Sequence, residues 1–306
     1  VIGGGKYYFG TTPSQYTSVR LGEFPNPNVG WEKAKKLNLG ADLSFFNQLN
    51  ISVDYFKENR EGIFLQRKSI PMYVGLSTKP WVNIGKMRNS GIDASLEYHQ
   101  PLGKDLHLTV RGNFTYARNR IMDQDEPDYA YTYMNHSGQM QWQKFGLVAA
   151  GLFQDQEDID SWAKQSFGEV KPGDIKYLDL NGDGIVDNYD TKPIGYSDIP
   201  EIVYGFGFSL QWKAFDLSAF FQGVAHVSFS TLTDQTQAFV GRNLKESSVF
   251  ADLYGNTWTP ENPGAKYPRM TTGAIDNNNQ LSTFWMANGR YLRLKNLELG
   301  YTLPKR

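Results

Sequence analysis

The sequence predicts an all-β protein, and three observations indicate this class. Apolar and polar residues alternate along seven runs of the 306-residue chain, and a period of two is the pattern of a β-strand with one apolar face. Aromatic residues make up 14% of the chain and accompany 30 glycines, although the mean hydropathy is only −0.50. No stretch approaches the roughly 18–20 apolar residues of a membrane-spanning helix, and the longest candidate runs only from Phe145 to Phe153.

The alternating runs give the predicted strands in chain order. They cover residues 37–44, 49–55, 92–98, 105–116, 206–212, 215–221 and 291–304. The run at 105–116 is the clearest, because Leu106, Leu108 and Val110 share one phase while polar residues occupy the other. In the last run the phase slips at Lys295–Asn296, which predicts a β-bulge.

Strand length helps to separate two architectures that alternation alone allows. In a soluble sandwich the apolar side of each strand forms the core, whereas in an outer-membrane barrel it faces lipid and the polar side lines the lumen. The run at 105–116 alternates for about a dozen residues, against a mean of about 5–6 in soluble sheets and about 9–11 in a membrane strand. Its length favours the barrel.

The connections point to the same architecture. The turns "FNQ", "QPLGKD" and "KAFD" are short, whereas the segments 57–86, 117–203 and 223–290 are long. Outer-membrane barrels have short periplasmic turns and long extracellular loops, and a sandwich has no reason to sort its connections in this way. The predicted fold class is therefore an antiparallel transmembrane β-barrel portion over residues 1–306.

Strand direction then places one long connection. If "QPLGKD" and "KAFD" are both periplasmic, the strand at 105–116 runs outward and the strand at 203–212 runs inward. The segment 117–203 is then a long extracellular excursion that contains an acidic loop at 179–190. The apolar stretch "QWQKFGLVAAGLF" within it is either a hairpin arm above the membrane or one of two extra spans, and we favour the arm.

The acidic loop "DLNGDGIVDNYD" has nearly the spacing of a calcium-binding loop, with Gly184 at the position of the sharp turn. The predicted ligands are the side chains of Asp179, Asn181 and Asp183, the carbonyl of Ile185, Asp187 directly or through water, and Asp190. A structural calcium ion fits better than a sensor role, because the twelfth residue is Asp instead of a bidentate Glu and the preceding "DIKYLDL" is extended. The alternative is a hydrated Gly/Asp-rich turn.

Catalysis and nucleic-acid binding are not indicated. The chain has no cysteine, which excludes a thiol nucleophile, a zinc–cysteine site and a disulfide framework. Its 31 basic and 32 acidic residues balance, so charge suggests no nucleic acid. The histidines are scattered and no nucleophile or phosphate-binding motif occurs, so we predict no catalytic or cofactor-binding residue and no enzyme. The sequence does not predict which residues contact a substrate.

Five stretches, in order, resemble SusC/RagA-type TonB-dependent outer-membrane transporters of Bacteroidetes. They are "NPNVGWEKAKKLNLGADL" (26–43), "VNIGKMRNSGIDASLEY" (82–98), "GDIKYLDLNGDGIVD" (173–187), "WTPENPGAKYPR" (258–269) and "YLRLKNLELGYTLP" (291–304). One departure is Lys192, where the family often has arginine after the acidic loop.

The resemblance implies a 22-stranded barrel in the lipid of the bacterial outer membrane, an N-terminal plug and a segment read by TonB. It also implies a SusD-like surface lipoprotein and a glycan or peptide ligand. On this basis we expect the chain to be the C-terminal barrel portion without the plug and the last strands. The alternative from the residues is a soluble, calcium-stapled β-sandwich that binds carbohydrate, and an accessory to a surface protease or glycosidase is less favoured.

Overall fold

The computed structural model describes residues 2–9, 14–20, 24–76, 78–233, 249, 251–271 and 273–303. Its strands are β1 (Ile2–Phe9), β2 (Ser14–Arg20), β3 (Lys33–Phe45), β4 (Leu49–Gln66), β5 (Trp81–Pro101), β6 (Leu106–Asp123), β7 (Lys144–Gly146), β8 (Ala149–Leu152), β9 (Lys164–Gln165), β10 (Ile175–Tyr177), β11 (Ile185–Val186), β12 (Lys192–Ile194), β13 (Ile202–Trp212), β14 (Phe215–Ala225), β15 (Ser228–Ser230), β16 (Met286–Asn288) and β17 (Tyr291–Tyr301). One α-helix, α1 (Gln156–Asp160), and four 3-10 turns (Met72–Val74, Thr132–Met134, Asn188–Asp190 and Thr283–Trp285) complete the elements described.

The seven predicted strands form one antiparallel sheet in the order β17-β14-β13-β6-β5-β4-β3. Two connections are shorter than predicted. The connection predicted at 57–86 is only 67–80, and the excursion predicted at 117–203 is 124–201, because β4, β5 and β6 continue as paired strands. Alternation ends near residue 57 since both sides of the sheet become polar there, whereas backbone pairing does not require apolar side chains.

The short turns lie together at one end of this sheet. In the turn after β3, Phe46 and Asn47 have φ of 54° and 53°, and the Gln48 amide donates to the Phe45 carbonyl at 3.0 Å. Between β13 and β14 only two residues turn the chain, and Lys213 has φ of 54°. Positive φ values match the right-handed twist of a tight hairpin. The long connections consequently all leave from the opposite end.

The register aligns the apolar phases of all seven strands into one continuous side of the sheet, which we call the apolar face. One row across it consists of Leu43, Ile51, Leu96, Gly112, Phe206, Phe221 and Leu294. Its large side chains are exposed or half-buried, and the exposed fraction reaches 61% at Leu39 and 79% at Leu299. No second sheet covers this face within the described part of the chain. A sandwich would bury these side chains, so this arrangement does not support the sandwich alternative.

The opposite side of the sheet, the polar face, carries a continuous polar row. It consists of Asp42, Ser52, Ser95, Asn113, Gly205, Gln222 and Arg293. Ser52 donates a hydrogen bond to Asp42 at 2.6 Å, and the Arg111 guanidinium donates to Glu97 at 3.0 Å. Hydrogen-bonded carboxylates and hydroxyls on this face are typical of a water-filled barrel interior.

The predicted bulge in the last strand is confirmed. Phe220 of β14 lies opposite Asn296, whereas its neighbour Phe221 lies opposite Leu294, so Lys295 is the extra residue. A bulge moves the residues beyond it to the other side of the strand. The slip therefore keeps the leucines on both sides of Lys295 on the apolar face.

A hydrophobic core lies outside the seven-stranded sheet, in the segments 124–201 and 226–290. It is formed by Leu147, Leu152, Ile175, Tyr177, Val186, Trp258 and Trp285. The stretch "QWQKFGLVAAGLF" contributes β7 and β8, which pair with β12 and β10 and not with the large sheet. The stretch therefore adds no strand to the large sheet, and its location above the membrane stays a prediction. Within the described segments, no helix has the length and hydropathy needed to cross a membrane.

Candidate functional site

The core formed by the two long connections, which we call the loop core, is organised around a buried carboxylate. Asp174 is fully buried. Its oxygens accept hydrogen bonds from the Lys171 amide at 2.8 Å and from Asn278 Nδ2 at 2.9 Å. Arg269 Nη2 donates to it at 3.0 Å, and Arg269 Nε lies 2.7 Å from Oδ1. A buried charge is tolerated only when it is paired in this way. Because Asp174 lies in the segment 124–201 and Arg269 in the segment 226–290, this ion pair also joins the two long connections.

Gly173, next to Asp174, brings two of the family-like stretches into contact. It has φ of +91°, and a Cβ built on it would lie 2.4 Å from Cε3 of the Trp258 ring. Its amide donates to the Phe153 carbonyl at 2.7 Å, and its own carbonyl accepts from the Arg269 amide at 2.8 Å. Glycine is required both by the backbone angle and by the tryptophan. "GDIKYLDL" and "WTPENPGAKYPR", which are far apart in the sequence, are therefore parts of one contact.

Two buried asparagines complete the loop core. Asn278 Oδ1 accepts from the Ile175 amide at 2.8 Å, and Asn277 Nδ2 donates to the Ile175 carbonyl at 2.8 Å. The Tyr177 hydroxyl donates to the Asn277 carbonyl at 2.9 Å, and burial raises the pKa of that hydroxyl far above its usual value. The asparagines thus satisfy the backbone amide and carbonyl of Ile175 on β10. A buried backbone group without a hydrogen-bond partner would lower the stability of the fold. In the sequence, "NNNQ" has only the composition of a turn. Nothing near it predicts that its asparagines bind the backbone of Ile175.

Asp125 holds the connection between β4 and β5 against the long excursion. Its carboxylate accepts from the amides of Lys68 and Ser69 at 2.8 and 3.1 Å and from Arg67 Nη2 at 3.1 Å. Burial by itself would raise the pKa of the Asp125 carboxyl, but the hydrogen bonds from Arg67 and Ser69 outweigh it and lower the pKa to about 2.

The Asp125 contact predicts acid-sensitive loop attachment. Because the folded pKa is lower than the ordinary value of 3.8, the contact contributes about 2 kcal/mol above pH 4, and this stability is lost as the pH falls through about 2. We expect pepsin cleavage within residues 67–80 to rise between pH 5 and pH 2. In an Asp125→Asn variant cleavage should already be high at pH 5. Equal cleavage of both proteins at pH 5 would contradict the role of this carboxylate.

The acidic loop folds mainly through hydrogen bonds to its own backbone. Asp179 accepts from the amides of Gly182 at 2.6 Å and Gly184 at 2.8 Å, and Asp183 accepts from the Ile185 amide at 2.8 Å. Asn181 Nδ2 donates to Asp183 at 2.9 Å. These contacts place four of the predicted calcium ligands in one compact turn.

The last two predicted ligands cap the end of the loop. Asp187 accepts from the Tyr189 amide at 2.7 Å. Asp190 is fully buried and accepts from the amides of Leu180 at 2.6 Å, Asn181 at 3.3 Å and Asp187 at 2.8 Å. Asp190 is thus the residue that closes the loop onto itself, a role that its position as the predicted sixth ligand did not indicate.

The predicted calcium ion does not follow from this geometry. Among the described residues, no three His, Cys, Asp or Glu side chains are grouped so that they could hold a metal ion. Calcium binding by the acidic loop stays a prediction. If calcium binds as predicted, it raises the melting temperature of the protein, and the double variant Asp179→Ala, Asp183→Ala no longer responds. An equal response of the wild type and the double variant would refute the ligand set.

A surface of tyrosine rings lies beside the acidic loop. The rings of Tyr131 and Tyr133 stack at 5.3 Å, and Tyr189 meets Tyr131 edge-on at 6.2 Å. The Tyr133 hydroxyl donates to the Tyr189 carbonyl at 2.7 Å, so the rings are held in place by the backbone of the acidic loop. Burial and the nearby carboxylates raise the pKa of Tyr133, which keeps the phenol neutral. Tyr189 is exposed and the stacked rings of Tyr131 and Tyr133 are half-buried. The accessible parts of these rings can contact flat apolar faces of a ligand or a partner.

These features define a class of protein. A sheet with one exposed apolar face and one polar face, with short turns at one end and folded connections at the other, is a wall of a transmembrane β-barrel. The family described as "TonB dependent receptor-like, beta-barrel" matches residues 3–306. This chain belongs to that family.

Individual relatives agree with the family. The chain is 29% identical over 304 residues to TonB-dependent receptor P3 of Formosa agariphila, with 95% of this chain and 29% of that protein covered. It is 24% identical to TonB-dependent receptor SusC of Bacteroides thetaiotaomicron, over 97% of this chain and 28% of that protein. The solved RagAB peptide importer in its "open-open" state superposes with a TM-score of 0.69 at 21% identity, covering 98% of this chain and 31% of that one. The chain therefore spans about three-tenths of the length of these relatives.

Proposed function

We propose that the protein containing this chain imports a nutrient, a glycan or a peptide, across the bacterial outer membrane. The observation that carries this proposal is the apolar face, which is continuous over seven strands and exposed. It is supported by the relatives, which are named as TonB-dependent receptors and a peptide importer. In this proposal TonB supplies the energy, and the chain contributes binding and passage of the ligand instead of a chemical step.

The loop core is the proposed docking platform for a SusD-like surface lipoprotein. It is a rigid unit, since a buried ion pair and two buried asparagines join residues 144–194 to residues 251–285. A rigid surface limits the entropy lost on docking. The tyrosines beside the acidic loop, of which Tyr189 is exposed, belong to the same side of the barrel and are proposed to contact a ligand or this partner.

Uptake tests the transport proposal. Deletion of the gene should abolish growth on one glycan or peptide source while growth on free monosaccharides or amino acids is unchanged, and the full-length gene should restore it. Purification of the tagged full-length protein in detergent should recover a surface lipoprotein. Normal growth of the deletion strain on every polymeric source tested would contradict nutrient import.

Orientation is tested separately by cysteine labelling, which is convenient because this chain has no native cysteine. Ser137 lies exposed in the long excursion and Lys104 lies exposed in a short turn. In a full-length protein without other cysteines, a membrane-impermeant maleimide added to intact cells should label Ser137→Cys but not Lys104→Cys. Labelling of the second variant alone would place the long connections in the periplasm and refute the proposed orientation.

A further inference from the structure

Two rows of the sheet lie immediately beyond the apolar band on the same side as the apolar face. The apolar positions of β6 run from Leu106 to Tyr116, which corresponds to a height of about 25 Å for a tilted strand. The next row consists of Leu37, Lys57, Ser90 and Arg118, and the row after it consists of Lys35, Asn59, Arg88 and Arg120. We call Lys35, Lys57, Arg88 and Arg120 the cationic belt.

The side chains of these rows point to the lipid-facing side. Residues two apart on a strand share a side, so Lys57 follows Tyr55 and Arg118 follows Tyr116. The contacts agree, because the Arg118 guanidinium lies 5.8 Å from the centre of the Tyr116 ring. Arg88 Nε also donates to its row neighbour Asn59 at 3.0 Å.

The cationic belt has no carboxylate partner within the described part of the chain. Arg118, in the same rows, is different, because it donates to the buried carboxylate of Glu201 with Nη2 at 2.6 Å. At the same height on the polar face, Lys36 lies 3.4 Å from Glu58, and Arg60 pairs with Glu58 at 2.6 Å. The cations on the polar face are thus neutralised by Glu58. On the lipid-facing side only Arg118 has a carboxylate partner among the described residues, and Arg120 Nη1 donates to the uncharged carbonyl of Gly138.

We propose that the cationic belt binds the phosphate groups of lipids in the leaflet on the long-loop side. The belt extends over four neighbouring strands, a width of about 15 Å, directly above the side chains that contact acyl chains. Headgroup phosphates of the lipids around the barrel lie at this height. Arginine forks match phosphate oxygens, and each Lys or Arg near an anionic membrane surface strengthens binding about fivefold. The inference rests on the membrane location of the barrel wall and not on the nutrient.

The test uses the full-length protein in a neutral detergent, titrated with phosphate-bearing lipid A and followed by native mass spectrometry. We expect the variant Lys35→Gln, Arg88→Gln, Arg120→Gln to bind this lipid roughly 100-fold more weakly than the wild type. Dephosphorylated lipid A, which has the same acyl chains, should bind both proteins equally. Inorganic phosphate at the same concentrations should not compete.

Two further variants keep the result interpretable. The control Lys36→Gln, Lys144→Gln, Lys266→Gln removes the same charge from cations that lie beside carboxylates, and it should bind like the wild type. The charge-conserving variant Lys35→Arg, Arg88→Lys, Arg120→Lys should retain binding within a few-fold. The proposal is overturned if the control loses as much affinity as the belt variant, if dephosphorylated lipid binds as well as lipid A, or if inorganic phosphate displaces the lipid. Because binding is measured without uptake, it can succeed or fail independently of the transport proposal.

Discussion

A Phe208→Arg substitution is expected to destabilise the membrane-embedded protein by about 2–4 kcal/mol. Phe208 lies on β13, which has strands on both sides in the sheet, and faces outward between Val110 and Ala219 with 40% of its surface exposed. In the membrane this exposed surface contacts acyl chains, where a guanidinium loses its hydration and gains no partner. The effect is measured by guanidinium titration of the full-length protein in phospholipid vesicles, followed by tryptophan fluorescence.

The adjacent residue supplies a matched control. Ser209 points to the polar face, opposite Thr109 and Ser218, and lines the same cavity as Glu298. An arginine there stays hydrated and has a carboxylate nearby, so Ser209→Arg should cost less than about 1 kcal/mol. If both variants lost the same stability, or if Phe208→Arg lost none, the assignment of the two faces would be wrong.

Asp174→Ala is expected to have a comparable effect in the loop core, with a loss of about 3–5 kcal/mol of local stability. The substitution leaves the largely buried Arg269 guanidinium without its counter-ion and the Lys171 amide and Asn278 side chain without an acceptor. Hydrogen exchange reports this directly, since the amides of Ile175 and Tyr177 should exchange 100-fold faster or more. The strands of the large sheet should be unaffected.

An exposed ion pair in the same segment serves as the control for Asp174. Lys266 lies 3.3 Å from Asp252, and both side chains are about two-thirds exposed. Exposed pairs are screened by water, so Asp252→Ala should leave exchange at Ile175 and Tyr177 unchanged. Unchanged exchange in Asp174→Ala as well would mean that the loop core does not depend on its buried carboxylate.

The strands could be predicted well, and the reason is local. An alternation such as that of residues 105–116 depends only on adjacent residues. It specifies which side chains share a face before the pairing of the strands is known. The Lys295 bulge was predicted for the same reason, because a bulge appears as a slip in phase. The strand ends between residues 57 and 86 were not predicted, since pairing continues there after the apolar pattern has stopped.

The loop core could not be predicted, because its contacts join distant parts of the chain. Asp174 meets Arg269 and Asn278 across about a hundred residues, and nothing near "GDIKYL" specifies those partners. The acidic loop is a different case. Its spacing predicted six ligands around a cation, and the structure shows most of those side chains accepting hydrogen bonds from backbone amides. Calcium binding by this loop stays a prediction.

The sequence by itself determined that this protein is built from long strands with one apolar and one polar side, because period-two alternation is a local property. Only the tertiary structure decided that the seven apolar sides form one uninterrupted face, since register is set by pairing between strands. It also decided that the cationic belt just above this face has no carboxylate partner among the described residues, while Lys36 and Arg60 behind it lie beside Glu58. That difference depends on which side chains meet across strands, and the order of residues along one strand does not contain it.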